Sequence, residues 1–343
     1  MPKIAIDMKI STFNAENLFS RVILLNKIGE SRVPLEGATI QELQEAGMVR
    51  AGRVRKKGKL REWYRYTREA IEEEAQYNTA RVIDAINADV VCLQEVEDLE
   101  TLRLFNEDLL KRIQDTNHNP DTINEKYYKY AMLLDANDSR YIDVGIISRL
   151  DVLGIRTHMF DTDEEGPIFR RDCLEIDILT PKQNKITFMN CHIKSQIPHI
   201  IIREGEKVNI TPEIRKRELS RIGQILKEKM KTDQDGYYIV VGDLNGNPGS
   251  EDIKAMIKDL KLINTLEKLP ENERWTYLHG TKKYQYDYIL LSPSLKSKIG
   301  KVEVERRGIS RSRTAFDGIR FDTVGKDGTE ASDHCSLGVE LDI

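Results

Sequence analysis

Apolar positions along this chain come in short runs separated by charged or turn-forming stretches. The runs are KISTF at 9–13, ADVVCLQEV at 88–96, YAMLLD at 130–135, DVGIISR at 143–149, CLEIDIL at 173–179, KITFMN at 185–190, YYIVVGD at 237–243, YDYILLS at 286–292 and HCSLGVEL at 334–341. Their length and β-branched content predict strands. Leu174, Ile176 and Ile178 alternate with Glu175, Asp177 and Leu179, which predicts strands with one buried face rather than a sheet buried on both. Helical spacing lies between some runs. Ala75, Val82, Ile83 and Ile86 share a face within 67–87, and Leu219, Ile222 and Leu226 do so within 211–230, where Thr211 and Pro212 form an expected N-cap and first turn. A third helix is expected over Leu99 to Ile113 and a short one from about Ser250. Strands dominate and helices come singly between pairs of strands, so the pattern predicts two packed sheets with helices outside them. With no internal repeat and no linker rich in Pro, Gly or Ser, the expectation is a single domain over 1–343 carrying an insertion at about 27–74.

Composition narrows this picture. The chain has 343 residues, 39% hydrophobic and 32% charged, which excludes wholesale disorder and a small disulfide-stapled scaffold. A net charge of -4 rules out a uniformly basic nucleic-acid coat, so any polyanion must meet a local patch. No run is long enough to span a membrane and the first residues lack a secretory pattern, so the expected location is cytoplasmic with no membrane partner. Cys92, Cys173, Cys191 and Cys335 have no zinc spacing and are expected to be reduced, buried packing residues.

Candidate chemistry gathers at strand ends. Asn14 and Glu16 follow STF, Gln94 and Glu95 end VVCL, and His192, Lys194 and Ser195 follow FMNC. Asp243 and Asn245 end YIVVG, Asp287 sits inside YQYDYILL, and Asp333 and His334 precede CSLGVEL. A single polar strand end is ordinarily a turn residue. Six of them, able to meet at one edge of a two-sheet sandwich, call for another explanation. The set offers hard oxygen donors suited to Mg²⁺ (Glu95, Asp243, Asp333), two amides (Asn14, Asn245) and two histidines able to move protons (His192, His334), with no activated Ser or Cys nucleophile. That inventory suits metal-assisted attack of water on a phosphate ester.

Seven ordered motifs, FNAENLF, LQEVED, VGIISR, NCHIKS, GDLNGNP, YDYILLS and SDH, resemble the endonuclease/exonuclease/phosphatase superfamily across residues 9–341. Deoxyribonucleases, abasic-site endonucleases, sphingomyelinases and inositol polyphosphate 5-phosphatases belong to it, and the chain most resembles a group of bacterial members that carries no assigned substrate. The resemblance implies a four-layer αββα sandwich of two mostly antiparallel sheets, with the site at one edge. It also implies Mg²⁺, with Mn²⁺ as a substitute. Glu95 resembles the principal metal ligand, with Asn14 beside it and Asp333 nearby. Asp243 and Asn245 resemble the pair that orients water and holds a phosphate oxygen. Asp287 resembles the buttress of His334, and His192 matches the histidine of the nuclease, sphingomyelinase and phosphatase branches. Arg171 is either a phosphate-binding cation or a surface charge, Asn137 and Lys194 are candidate substrate contacts, and Asp143 either supports His192 or simply starts a strand. His118, His158, His199 and His279 match no motif and are expected to be surface or structural.

Three functions compete: a nuclease, a phosphatase or phosphodiesterase acting on a small molecule such as an inositol phosphate, nucleotide or lipid head group, and a catalytically dead binding scaffold. A filled catalytic set disfavours the scaffold. Between Arg50 and Arg68 lie nine basic residues and one acid, with Trp63, Tyr64 and Tyr66 interleaved. This suits a polynucleotide strand, although a solvated charged loop has the same composition. Arg306, Arg307, Arg311 and Arg313 form a second basic cluster. Together they favour a nuclease acting on DNA or RNA.

Overall fold

In the computed structural model, which describes residues 8–18, 23–26, 49–50, 53–54, 64–68, 73–117, 127–138, 142–325 and 328–343, every apolar run named above becomes a strand. In chain order the strands of the two large sheets are β1 (Met8–Leu18), β2 (Val90–Val96), β3 (Tyr130–Leu133), β4 (Asp143–Ser148), β5 (Val152–Arg156) and β6 (Cys173–Leu179). They continue with β7 (Lys185–His192), β8 (Tyr237–Asp243), β9 (Ile263–Asn264), β10 (Asp287–Leu291), β11 (Ile299–Glu305) and β12 (Ser336–Leu341). The helices that cover them are α1 (Glu73–Ile86), α2 (Leu99–Leu104), α3 (Lys111–Asn117), α4 (Thr211–Thr232) and α5 (Glu251–Leu260). A π-helical turn, Phe105–Leu110, joins α2 to α3.

One six-stranded sheet has the order β11-β12-β1-β2-β4-β3 and the other β9-β10-β8-β7-β6-β5. Each contains one parallel pair, β1 with β2 and β7 with β8, among antiparallel neighbours. Parallel neighbours require a crossover, and a helix supplies it in both sheets, α1 in the first and α4 in the second. The outcome is functional: the twin parallel pairs send the C-terminal ends of four strands to one edge of the sandwich.

Three apolar layers hold the stack together. Met8, Ile10, Val144 and Ile146 of the first sheet meet Ile176, Phe188, Val241 and Ile289 of the second. On the outer face of the first sheet, Val91, Leu93 and Ile147 pack against Ile83, Ile86 and Leu102. On the outer face of the second, Met189, Val240 and Leu290 meet Leu219, Ile222 and Leu226 of α4 and Ile253 of α5. This is the expected αββα arrangement.

The details depart from the sequence pattern in four places. The acidic face of β6 is not open to water: helix α4 covers it, and Glu175 and Asp177 are 1% and 5% exposed, so the second sheet is buried on both faces. Thr211 is the first helical residue of α4 and Ile210 its cap; the threonine hydroxyl donates instead to Ile197 O and accepts from His199 N. Helix α1 starts at Glu73, and Thr67 and Arg68, at the start of the expected helix, instead end the strand Tyr64–Arg68, which pairs with Ile23–Asn26. Strands β5, β9 and β11 have no counterpart among the predicted runs.

Of the insertion at about 27–74, the described part contains the short pair Val49–Arg50 with Arg53–Val54 and the strand Tyr64–Arg68. Arg55, Lys56, Lys57, Lys59, Arg61 and Trp63, with His118, lie outside the described residues. No helix among the described residues is long and apolar enough to cross a membrane. All four cysteines are buried and free, as expected.

Candidate active site

Local backbone irregularities aim the key acids at the shared edge. The β1–β2 ladder jumps from Asn14↔Gln94 to Leu18↔Val96, and the β2–β4 ladder from Gln94↔Val144 to Val96↔Asp143, so Glu95 is a bulged residue in both. Its φ is 60°, with Glu16 at 47° and Asn245 at 50°. Left-handed backbone at non-glycine residues costs energy and persists where the surroundings impose it, commonly at functional sites. Gly242, at φ 126°, precedes Asp243, and a Cβ there would lie 2.0 Å from Cys191 O. Glycine is therefore required where β8 approaches the end of β7.

The side chains from the two sheets converge. Asn14 Nδ2 donates to Asp243 Oδ2 at 3.1 Å and Glu95 Oε1 at 3.3 Å, and its Oδ1 accepts from Glu16 N. His192 Nε2 lies 3.6 Å from Asp243 Oδ2 and 3.8 Å from Glu95 Oε1. Across the cluster, His334 Nε2 lies 3.8 Å from the same Asp243 oxygen and 3.9 Å from Asp333 Oδ1. His334 Nδ1 donates to Asp287 Oδ2 at 2.8 Å. That bond fixes the tautomer and leaves Nε2 facing the acids. Asn245 clamps Asp243 twice, through its backbone N–H at 2.7 Å and its amide at 3.0 Å, and the same amide also donates to Ile193 O. Eight of the sequence candidates (Asn14, Glu95, His192, Asp243, Asn245, Asp287, Asp333 and His334) thus meet at one edge.

The remaining three stand nearby in different roles. Arg171 is not a surface charge: it is 3% exposed, pairs through Nε with Asp138 at 2.9 Å and donates to Ile193 O. Its charge also acts on Glu95. The Asn137 amide donates to Met159 O and Phe169 O and so ties two loops together. Lys194 Nζ donates to Ser195 O and Ile197 O. Asp143 accepts from Ala136 N. In the second basic cluster, Arg306 donates to Glu273 O and Trp275 O, Arg307 pairs with Glu305, and Arg311 donates to Val324 O. Arg313 is the member that reaches the site, 3.8 Å from Asp333.

Glu16 and Gln94 are among the polar strand ends named from the sequence without a role, and Asn190, Glu218 and Arg215 escaped the sequence reading. Glu16 accepts from Asp333 N at 2.7 Å and joins the acid cluster; its place two residues after Asn14 was the available signal. Gln94 Nε2 donates to Asn190 Oδ1, and Asn190 donates to Leu93 O and Gly145 O, a buried amide bridge that fixes the sheet carrying Glu95 against the one carrying His192. Behind both, Glu218 accepts from Lys194 N and Arg170 N, and Arg215 donates to Lys194 O and Leu244 O. These α4 residues clamp the loops after His192 and Asp243.

Electrostatically the site holds more acids than cations to match them. Burial, with the charges of Asp333 and Glu95, pushes the Glu16 carboxyl up to about 8. Burial, with the Asp287 charge and against His334, pushes Asp243 up to about 7. Glu95 is raised by burial and by Asp333 despite Arg171 and His334. Burial alone would lower His334, but the Asp287 and Asp243 charges overcome it and raise the imidazole well above its usual value. A surplus of hard carboxylate oxygens gathered in one buried cluster is a donor set that fits a divalent cation. Oxygens of Asp243 and Asp287 and a nitrogen of His334 lie within 4.8 Å of one another. The Asp287–His334 hydrogen bond already engages one pair of these atoms, and Glu95 and Asp333 approach the two histidines, with Glu16 beside Asp333, as further carboxylates around them.

The chain resembles proteins of known structure. A family model described as Endonuclease/Exonuclease/phosphatase family matches residues 60–334. Truncated TDP2 from Caenorhabditis elegans superposes with a TM-score of 0.52 at 16% identity, covering 78% of this chain and 89% of that one. The mannosyl-6-phosphatase Bt3783 of Bacteroides thetaiotaomicron gives 0.52 at 13% identity, covering 97% and 99%. A protein from Beutenbergia cavernae described as endonuclease/exonuclease/phosphatase gives 0.56 at 14% identity, covering 98% and 72%. None of the curated proteins matches the sequence.

Proposed function

Since the chain belongs to the endonuclease/exonuclease/phosphatase family of phosphate-ester hydrolases, we propose that it is a Mg²⁺-dependent phosphodiesterase that cleaves nucleic acid by in-line attack of water, with no covalent intermediate. The observation that carries this reading is the convergence of Asn14, Glu95, His192, Asp243 and His334 from facing strand ends. Glu95, with Glu16 and Asp333, would hold the divalent ion, and Mn²⁺ would substitute. When bound, the ion neutralises phosphate charge.

The chain's own groups do the rest. Asp243, held by the Asn245 backbone and amide and by Asn14, orients the attacking water. His192 and His334 flank the phosphate. His334 is kept protonated on Nδ1 by Asp287 and presents Nε2 to move a proton at a phosphate or leaving-group oxygen. Arg171, buried against Asp138, adds positive charge beside Glu95, while Lys194 and Asn137 hold the adjoining loops in place. The basic, aromatic composition of residues 50–68 favours a polynucleotide over a small phosphoester.

The test is a screen of the purified protein with Mg²⁺ or Mn²⁺ against plasmid, single-stranded DNA, RNA, a bis-aryl phosphodiester and sugar or inositol phosphates. Cleavage of polynucleotide that ceases on chelation is the expected result. Turnover confined to phosphomonoesters of sugars, the chemistry named for the Bacteroides structure, would replace the nuclease reading with a phosphatase.

A further inference from the structure

Beside His334 stands an aromatic wall that the mechanism does not use. The Tyr277 ring lies 4.6 Å, centroid to centroid, from the His334 ring. Tyr286 stacks on Tyr277 at 4.9 Å and 15°, and Tyr284 lies 5.2 Å from Tyr286 and 6.1 Å from Tyr277. All three tyrosines are only partly buried. They surround a hairpin in which Tyr277–His279 pairs with Lys282–Tyr284, and the exposed Lys282 and Lys283 follow its turn.

This hairpin is fixed to the catalytic segment. Tyr277 bridges His334, Leu278 N donates to Asp333 O, and Cys335 N donates to Thr276 O at 2.7 Å. The Thr276 hydroxyl accepts from the backbone N–H groups of Tyr286 and Asp287. The rings are therefore held at a set distance from His334 and its Asp287 buttress. A packed core would favour Phe here; Tyr offers a flat face with a tip that stays wet.

We propose that Tyr277, Tyr284 and Tyr286 form a stacking platform that seats a base of a polynucleotide next to the scissile phosphate. The inference rests on the phosphodiesterase reading and narrows its substrate to one carrying planar rings. Ring faces beside cations are what a sequence-tolerant single-strand groove needs, because every base has a π face and each flanking phosphate needs a positive charge. Lys282, opposite His279 on the hairpin face that carries Tyr277 and Tyr284, supplies a cation at the outer end of the platform. A sugar or inositol phosphate has no planar π face to stack on these rings.

The experiment compares single-stranded oligothymidylate with an oligomer of equal length in which every nucleotide is a tetrahydrofuran abasic unit, so that the phosphodiesters are kept and the bases are gone. With Mn²⁺ or Mg²⁺, wild type should show a kcat/KM about 10-fold or more in favour of oligothymidylate, the size expected from stacking one base. Combining Tyr284→Ala with Tyr286→Ala should collapse that ratio to within about 2-fold, chiefly through KM, whereas the Tyr284→Phe, Tyr286→Phe pair should keep it. Thermal melting of each variant controls for folding. Equal kcat/KM for the two oligomers in wild type overturns the platform, as does a preference that survives in the double alanine variant. Cleavage of neither oligomer alongside turnover of a sugar phosphomonoester overturns the nuclease reading itself, an outcome distinct from both.

Discussion

The fold buries acids in two places, and the two places are built on opposite principles. Under α4, Glu175 receives the guanidinium of Arg156, Lys229 Nζ at 2.7 Å and His158 Nε2 at 3.5 Å. Asp177 beside it takes Arg156 at 3.1 Å, the Thr187 hydroxyl at 2.6 Å and Lys185 at 3.8 Å. Burial alone would push the Glu175 carboxyl up, but His158, Lys229 and Arg156 outweigh it and bring it down to about 2. At the strand ends of the active site, burial is met by other acids, and Asp243 rises to about 7 and Glu16 to about 8. Where cations match buried acids the group is structural. Where acids face one another, the carboxyls hold protons more readily and are placed to exchange them for a divalent cation.

Substitutions should separate the two regions sharply. The largest effect belongs to the histidines at the unbalanced site: His192→Ala and His334→Ala should each lower kcat by roughly 10²- to 10⁴-fold with little change in Tm, since proton transfer is lost and the core is untouched. Steady-state rates beside melting curves check this. A variant that stays fully active with saturating metal removes that histidine from the mechanism.

Next comes a contrast in stability. Glu175→Gln should cost about 1 to 2 kcal/mol, because it removes the buried carboxylate shared by Arg156, Lys229 and His158, whose own charges stay partly hydrated. In metal-free protein Glu95→Gln should be neutral or stabilising by up to roughly 1 kcal/mol, because it relieves repulsion. Denaturant unfolding of both variants measures the two signs, and equal destabilisation would erase the distinction.

A smaller effect lies in pH. Glu175 has a folded pKa near 2 against an ordinary 4.5, so its contribution is complete above the ordinary value and fades as pH falls toward the folded one. The Tm gap between wild type and Glu175→Gln should therefore narrow between about pH 6 and about pH 3. A gap that widens in acid contradicts the ion-pair account.

The smallest expected change concerns the insertion. Replacing Arg53, Arg55, Lys56 and Lys57 with Ser should weaken polynucleotide binding and flatten its salt dependence, because each phosphate contact adds to that slope. Hydrolysis of a small aryl phosphodiester should persist. Equal loss of both activities would assign the segment a structural role.

The sequence pattern revealed the interior of the fold better than its borders. Strands β1, β2, β4, β6, β7, β8, β10 and β12 are interior to their sheets and carry continuous or alternating apolar runs. The unrecognised strands β5, β9 and β11 are all edges. An edge strand pairs on one side only, so its composition is freer: KVEVE in β11 alternates but holds only two apolar residues, and the two-residue β9 gives period and length too little to act on. The acids of β6 read as a solvent face because alternation reports polarity and cannot show that Lys229, from the distant α4, arrives to pair them.

The site was legible where chemistry and strand ends coincide, at Glu95, Asp243, His192 and the Asp333–His334 pair. What composition could not show was aim. Glu95 reaches the site because a bulge takes it out of register, and Arg171 turned inward because Asp138 pairs with it. Arg306, Arg307 and Arg311 looked like a substrate surface but are consumed by carbonyls and Glu305. Long-range partners of this kind belong to the fold and leave no local signature.

Calorimetric titration of Mn²⁺ into chelator-treated protein shows whether the unmatched acids form a divalent-cation centre. Wild type and Glu175→Gln should bind saturably, and Glu95→Gln should lose at least about 10-fold in affinity. Absence of saturable binding in wild type, or full retention of it in Glu95→Gln, would contradict the account.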